Sequence, residues 1–188
     1  MSVQNGFLAV LTQGAAYGSQ LQNEFLTRAA HRRQLNAGQV YSTLDRMTDQ
    51  GLIAPAGTTE DGLPLYALTA EGVAQARRWL SVGPTDAEPD WDEMQDQVLV
   101  AASISGADPL ALVADYRAAY TERIRALTHD ADSRAVLAAN RAAELGADAA
   151  IEWLDEVAAA LAAHPDVLVR PRSPERPRRG RRPATEPA

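Results

Sequence analysis

The residues best suited to chemistry in this sequence form a polar stripe between positions 39 and 50. Gln39, Ser42, Thr43, Arg46 and Gln50 recur with helical spacing, so a helix would bring them onto one side. Glutamine can pair with adenine, arginine with guanine, and the hydroxyl groups of serine and threonine with phosphate. Such a stripe is more often a solvated helix face than a reader of bases, so composition alone does not assign it to nucleic acid.

The sequence lacks several residue types that many enzymes use for catalysis. The 188 residues contain no cysteine and no lysine, which excludes disulfides, thiolate catalysis, cysteine-ligated metals and any reaction that needs a lysine amine. The three histidines are scattered, and the run from His129 to Asp132 is interpreted as a polar junction between helices. We therefore predict that the protein is not an enzyme and that it holds no cofactor and no metal.

The polar stripe lies on the best-defined helix that the sequence predicts. Asn36 is a good N-cap, and Gln39 stands three residues later, where the partner in a capping box belongs. Gly51 suits the left-handed position just after the helix. An apolar stripe of three residues, Val40, Leu44 and Met47, lies roughly 100° away around the same helix.

Neighbouring segments complete a recognisable arrangement. One helix is predicted from about Val3 to Thr12, a second around Leu21, and a further helix after Thr69 as its N-cap. Between them, Leu52–Pro55 and Leu65–Leu68 have the composition of two short strands joined by a turn. Three helices, a hairpin and a closing helix within about 80 residues predict a winged helix-turn-helix.

Charge divides the chain into regions, although the net charge is only −7. Residues 1–82 hold six arginines and six carboxylates, residues 83–166 hold five and 17, and residues 167–188 hold seven and two. We predict a mainly α fold with an N-terminal winged helix and small β-hairpin wing (the head, 1–82) and a C-terminal α-helical domain (the body, 93–166). A hinge at 83–92 joins them, and the Arg/Pro-rich basic segment 167–188 is expected to be disordered.

Three stretches of the head resemble the PadR family of bacterial transcriptional regulators: GAAYGSQL, LNAGQVYSTLDRMTDQGLI and YALTAEG. The resemblance covers residues 5–82. It implies a winged helix whose third helix enters the major groove of DNA, normally in a two-fold dimer. Transferred position by position, it assigns DNA binding to Asn36, Gln39, Tyr41, Thr43 and Arg46, and to Tyr66 on the wing.

Further DNA contacts are expected from residue type. Ser42 can bind phosphate, and a cationic group near the third helix comprises Arg28, Arg32 and Arg33. The wing departs from the family, because Leu63 and Leu65 stand where the family commonly has arginines. The alternative function is therefore a winged helix that binds another protein through this uncharged wing, without sequence-specific DNA binding.

The body contains four aromatic residues that are available to line a pocket, Trp91, Tyr116, Tyr120 and Trp153. Some PadR relatives sense aromatic compounds, so a small aromatic effector is one partner that the resemblance allows. Aromatic residues on helical stripes are more often part of a core, which is the other interpretation of the same four residues.

The alanine-rich helices of the body bury little area each, which favours a second copy of the chain to complete their core. We expect a homodimeric repressor that binds double-stranded DNA at a palindromic operator in the cytoplasm of a bacterium, with no membrane segment. The basic segment is expected to add sequence-independent phosphate contacts; binding of acidic partners or a role as a spacer remain alternatives.

Overall fold

The computed structural model describes residues 2–84, 89–127 and 133–173, which form seven α-helices and one two-stranded sheet. The head contains α1 Ser2–Leu11, α2 Gly18–Arg28, α3 Ala37–Asp49, β1 Ile53–Thr58, β2 Pro64–Leu68 and α4 Ala70–Ser81. Three further helices follow, α5 Trp91–Ala102, α6 Pro109–Ala126 and α7 Arg134–Ala163. The predicted fold class, a winged helix followed by helices, is confirmed.

The helix ends follow from local sequence signals. The Asn36 side chain accepts a hydrogen bond from the backbone N–H of Gln39 at 2.9 Å, and the Gln39 side chain accepts one from the backbone N–H of Asn36 at 3.0 Å. This is the predicted capping box, and it satisfies two backbone donors that the helix itself cannot. Gly51 follows α3 with φ +68°, as predicted, and Thr69 caps α4 through the N–H of Gly72.

The wing is a longer hairpin than the sequence indicated. Strands β1 and β2 pair antiparallel, with Ile53 opposite Leu68, and the register shifts between Pro55 and Thr58. Ala16 also pairs with Tyr66 of β2 through two backbone hydrogen bonds of 3.0 and 2.9 Å. The segment before α2 is therefore attached to the base of the wing.

One hydrophobic core runs from the head into the first two helices of the body. It contains the edge-to-face pair Phe7 and Phe25, whose ring centroids are 5.9 Å apart, and the α3 residue Leu44. The same cluster includes Val100 and Ala101 of α5, Ile104 just after α5, and Leu112 of α6. The boundaries of the predicted domains stay a prediction, but this shared core fixes α5 against the head.

A second hydrophobic cluster holds helices α5, α6 and α7 together. Met94 of α5, Tyr116 and Tyr120 of α6, and Leu154 of α7 are buried in it. On the surface, Nε of Arg117 bonds a carboxylate oxygen of Asp155 at 2.7 Å and ties α6 to α7. The four buried residues of α7 lie from Ala147 onward, Ala147, Ala150, Leu154 and Leu161.

Three sequence predictions fall partly or wholly outside the described residues. These are the polar run from His129 to Asp132, residues 85–88 of the hinge, and residues 174–188 of the basic segment. Residues 167–173 are described and bind the head through several hydrogen bonds, and disorder of the basic segment 167–188 stays a prediction. Within the described ranges, no helix is long and apolar enough to cross a membrane.

The Arg28 guanidinium joins four parts of the chain in the interior. Nη1 donates to the backbone oxygen and to Oγ of Ser103, at 2.8 and 2.9 Å. Nη2 donates to Gln13 Oε1 at 2.9 Å, and to Glu24 Oε2 and the carbonyl oxygen of Arg170, both at 3.1 Å. Its side chain is only 1% exposed, so the prediction that Arg28 contacts DNA phosphate was wrong.

Replacing this group tests its structural role. Arg28→Ala leaves the Glu24 carboxylate buried without its cation, and we expect the free energy of unfolding to fall by about 3–5 kcal/mol. The matched control is Arg125→Ala, which removes an arginine 72% exposed on α6 beside Glu122, with an expected change of less than about 0.5 kcal/mol. Urea denaturation of both variants measures the difference; equal losses would contradict the interior role of Arg28.

Candidate nucleic-acid interface

The exposed side of α3 is the surface on which the predicted DNA-binding residues converge. We call it the recognition face, and it comprises Gln39, Tyr41, Ser42, Asp45, Arg46 and Asp49, all exposed. The apolar residues on the opposite side of α3 are buried in the head. Because the capping box and the core fix both ends of the helix, these side chains project from a rigid element.

One edge of the recognition face borders a groove of about 550 Å³. Its walls are built from α1, the segment before α3, and α3 itself, through Val3, Gln4, Arg33, Leu35, Gln39, Ser42, Thr43, Arg46 and Gln50. Gln4 Nε2 donates to Gln50 Oε1 at 3.0 Å, so the start of α1 is fastened to the end of α3. Sequence spacing did not indicate Val3 or Gln4, since only the packing of α1 brings them here.

Thr43 lies on the inner side of this groove and is only 5% exposed. Its Oγ1 donates to the Gln39 carbonyl at 2.7 Å and accepts a long bond of 3.4 Å from Arg46 Nη2. The expectation that Thr43 contacts DNA was wrong, because the hydroxyl is already bonded within the helix. Ser42 also donates to the Gln39 carbonyl, at 3.1 Å, but it remains exposed and can accept further bonds.

The other edge of the recognition face faces the wing. Tyr41 is 47% exposed, while Tyr66 of β2 is half-buried. Burial raises the pKa of Tyr66, and the negative charges of Asp45 and an ionised Tyr41 raise this pKa further. The Tyr66 phenol therefore keeps its proton at neutral pH and can donate a hydrogen bond. The start of α2 packs closely against Tyr41. A Cβ atom added to Gly18, the first residue of α2, would lie only 3.1 Å from the Tyr41 ring.

Arg32 and Arg33 lie in the segment between α2 and α3, but both are paired with carboxylates of α5. Arg32 bonds Asp92 at 2.6 Å and Asp96 at 3.2 Å, and Arg33 Nε donates to the other oxygen of Asp96. The Asp96 side chain is 0% exposed, whereas Asp92 is 59% exposed. The expected cationic surface is thus largely neutralised by the body, which the sequence indicated only through the acidic run at the start of α5.

The wing adds apolar and acidic groups. Leu63 and Leu65 are half-buried, and the Leu63 backbone N–H donates to Thr59 Oγ1 at 3.0 Å within the turn. The turn itself contains Glu60 and Asp61. The described residues of α2, α3 and the wing contain two arginines. Arg28 is buried, and Arg46 is exposed.

Of the four aromatic residues predicted to line an effector pocket, Tyr116 and Tyr120 are buried in the second hydrophobic cluster, Trp153 packs against it, and Trp91 is 39% exposed. Tyr116 and Tyr120 are each 3% exposed, and their hydroxyl groups donate to Gln97 Oε1 and to the Pro89 carbonyl. Trp91 and Trp153 stack at a tilt, with ring centroids 6.2 Å apart. Burial raises the pKa of both tyrosines. For Tyr116 and Tyr120 the structure thus agrees with the other interpretation of the sequence, that they are part of a core.

A separate cavity of about 400 Å³ lies between the α5–α6 loop and the end of α7. Ile104, Pro109 and Leu161 contribute apolar surface to it, and Asp108 and Asp166 contribute carboxylates. None of the four predicted effector residues lines this cavity. It is large enough for a small molecule, and it adjoins Ala102 and Ile104, which flank Ser103, an acceptor of Arg28.

Comparison with solved structures finds Bacillus subtilis PadR. The chain is similar to PadR in complex with operator DNA at 19% identity and a TM-score of 0.40, covering 84% of this chain and 96% of that one. It is similar to PadR in complex with p-coumaric acid at 17% identity and a TM-score of 0.39, covering 86% and 99%.

Comparison with curated proteins finds no match. Residues 7–78 match the model of the transcriptional regulator PadR-like family, a stretch that begins in α1 and ends in α4. The members of that family are regulators of transcription and not enzymes. The matched stretch includes α2, α3 and both strands of the wing, and therefore the whole recognition face. The similarity of this chain to the PadR-like family of transcriptional regulators thus lies in residues 7–78.

Proposed function

We propose that the protein is a homodimeric repressor that binds a palindromic DNA operator through the recognition face of α3. The observation that carries this proposal is the exposed set Gln39, Ser42 and Arg46, held on one edge of a rigid helix beside a groove. A repressor of this kind acts in the cytoplasm, where an occupied operator excludes the transcription machinery. The family's role in transcription supports the choice of DNA as the partner.

Each exposed side chain suits a particular contact. Arg46 can bond the two acceptors of guanine, and Gln39 can still donate through Nε2 to adenine, although its Oε1 serves the capping box. Ser42, Tyr41 and the protonated Tyr66 suit phosphate oxygens. The side chain of Asn36 is committed to capping α3, so its contribution to DNA binding is to hold the helix start in place.

The first test measures binding to the DNA upstream of the protein's own gene and to a shuffled fragment, at two salt concentrations. We expect preference for the native fragment, with affinity that falls steeply with salt. Arg46→Ala should weaken binding to the native fragment by about 1–3 kcal/mol and reduce the preference, because it removes a base contact. Arg125→Ala is the matched control, an exposed arginine on the acidic body.

Two results of this titration would contradict the proposal. Unchanged affinity in Arg46→Ala would remove Arg46 as a reader of bases. Weak binding that is equal on both fragments and insensitive to salt would favour the alternative function, in which Leu63 and Leu65 of the wing bind another protein.

The pairing of Arg32 with Asp92 generates a prediction about charge. Asp92→Asn keeps the shape of an exposed side chain but leaves Arg32 and Arg33 to share the single carboxylate of Asp96, with a net positive charge. We therefore expect DNA affinity to rise about two- to fivefold at low salt. Asp155→Asn is the matched control, because Asp155 forms a similar exposed ion pair with Arg117 far from α3. Equal changes in the two variants, or weaker binding by Asp92→Asn, would show that Asp92 does not oppose phosphate binding.

Support for the dimer comes from the first half of α7. No residue of α7 before Ala147 is buried, although this half carries Val136, Leu137 and Leu145 at 45%, 36% and 52% exposed. A long helix with exposed apolar side chains is stabilised when a second copy covers it. A dimer would place two α3 helices in successive major grooves about 34–36 Å apart, and an effector would act by changing that spacing.

Changing this half of α7 should dissociate the dimer. We expect the wild-type protein to sediment as a dimer and Leu137→Glu with Leu145→Glu to shift the equilibrium at least about tenfold toward monomer, since each carboxylate would have to be buried. Val82→Glu, at a residue 46% exposed after α4, is the control that should remain dimeric. A wild-type monomer at micromolar concentration, or no difference between the variants, would contradict the proposed interface.

A further inference from the structure

The cavity between the α5–α6 loop and the end of α7, which we call the α5–α7 cavity, has the size of a small-molecule site. Its volume is about 400 Å³, and sites for small ligands usually lie between about 300 and 1,000 Å³. Its most deeply buried lining residues are apolar: Ala102, Ile104 and Leu161 are only 2%, 7% and 2% exposed. Val169 adds apolar surface from the segment after α7. This lining favours a ligand with an apolar part.

The charged side chains around the α5–α7 cavity are both negative. Asp108 precedes α6 and Asp166 follows α7, and both residues are exposed. Oδ1 of Asp108 accepts a hydrogen bond from the backbone N–H of Ala111 at 3.1 Å, so one of its two carboxylate oxygens caps α6. Among the described residues, none of the 13 that line the cavity is an arginine or a histidine. A positively charged ligand would therefore meet no like charge in the lining.

The end of α7 adds partial negative charge to the same cavity. The backbone dipoles of a helix place the equivalent of about half a negative charge at its C-terminal end. Leu161 and Ala162 line the cavity from the last turn of α7, and this described turn contains no basic residue that would balance the charge. Residues 83–166 also hold 17 carboxylates against five arginines, so the field of the body attracts cations.

Two lining residues of the cavity are next to hydrogen-bond partners of Arg28. Ile104 follows Ser103, whose carbonyl and hydroxyl groups accept from the Arg28 guanidinium at 2.8 and 2.9 Å. Val169 precedes Arg170, whose carbonyl accepts from Arg28 at 3.1 Å and whose backbone N–H donates to the Ser103 carbonyl at 3.0 Å. A ligand that touches Ile104 and Val169 therefore lies one residue away from both of these partners of Arg28.

We propose that the α5–α7 cavity binds an organic cation with an apolar carbon skeleton, and that this cation is an effector of the protein. The apolar lining holds the skeleton, and Asp108 and Asp166 bond the cationic group. The site differs from the one that the sequence suggested, because it contains none of the four aromatic residues of the body. Binding of the cation does not depend on DNA, whereas its role as an effector rests on the proposed DNA-binding function.

Two probes with similar carbon skeletons test the charge of the ligand. Phenylbutylamine is a cation at neutral pH and phenylbutanoate is an anion, and calorimetric titration of the whole chain should show at least about tenfold tighter binding of the amine. Asp108→Asn with Asp166→Asn should weaken binding of the amine about fivefold, because two charge contacts are lost; asparagine still caps α6. Asp155→Asn with Glu156→Gln removes two exposed carboxylates of α7 outside the cavity and is the matched control.

A second pair of variants tests the location of the site. Ala162 and Ala163 are adjacent exposed residues at the end of α7, but only Ala162 lines the cavity. Ala162→Phe should abolish binding of the amine by filling the cavity, and Ala163→Phe should leave it unchanged. Equal affinity for the two probes, no binding of either probe, equal losses in the two phenylalanine variants, or equal losses in the two pairs of carboxylate changes would each overturn the proposed site.

The effector role is tested by DNA titration with and without saturating phenylbutylamine. We expect affinity for the upstream fragment to fall at least about threefold in the unmodified protein and in Ala163→Phe, and to stay constant in Ala162→Phe, because the ligand shifts the segments that bond Arg28. Unchanged affinity in a protein that binds the amine overturns the effector role and leaves the DNA-binding function standing. A protein that binds the amine but no DNA overturns that function and supports the site.

Discussion

The buried guanidinium of Arg28 is the interaction on which the arrangement of the molecule depends. It bonds Gln13 and Glu24 in the head, Ser103 at the end of α5, and the carbonyl of Arg170 in the segment after α7. Burial lowers the pKa of this arginine, while the Glu24 carboxylate raises it, so the charge is balanced inside the protein. This one side chain therefore joins the head, the end of α5 and residue 170, and it acts together with the shared hydrophobic core and the ion pairs of Arg32 and Arg33.

Several arginines of the chain are bonded to carboxylates or carbonyls of the protein itself. Asp92 and Asp96 of the acidic body neutralise Arg32 and Arg33, and the carbonyls of Gly14 and Ala15 bind Arg172. The charge of the surface before α3 is therefore set by contacts with the body as much as by the local sequence. In the proposed function, specificity comes from α3, and the carboxylates of the body reduce how strongly phosphate is bound.

Local signals in the sequence predicted much of the fold. The capping box of Asn36 and the positive φ of Gly51 depend on residues within a few positions of each other, so they could be inferred directly. The burial of Arg28 and Thr43 could not, because it depends on neighbours such as Ser103, which is 75 positions from Arg28. Arg32 and its partner Asp92 are also far apart, 60 positions, and the charge of an arginine alone does not reveal its partner.

The most direct test of the central claim is amide hydrogen exchange with and without the upstream DNA fragment. If α3 reads the DNA, backbone amides in and around residues 37–50 should exchange more slowly in the complex, together with those of the first turn of α2. The shuffled fragment at the same concentration should give much weaker protection of α3. Protection confined to the wing turn around residues 59–63, with α3 unchanged, would contradict the account.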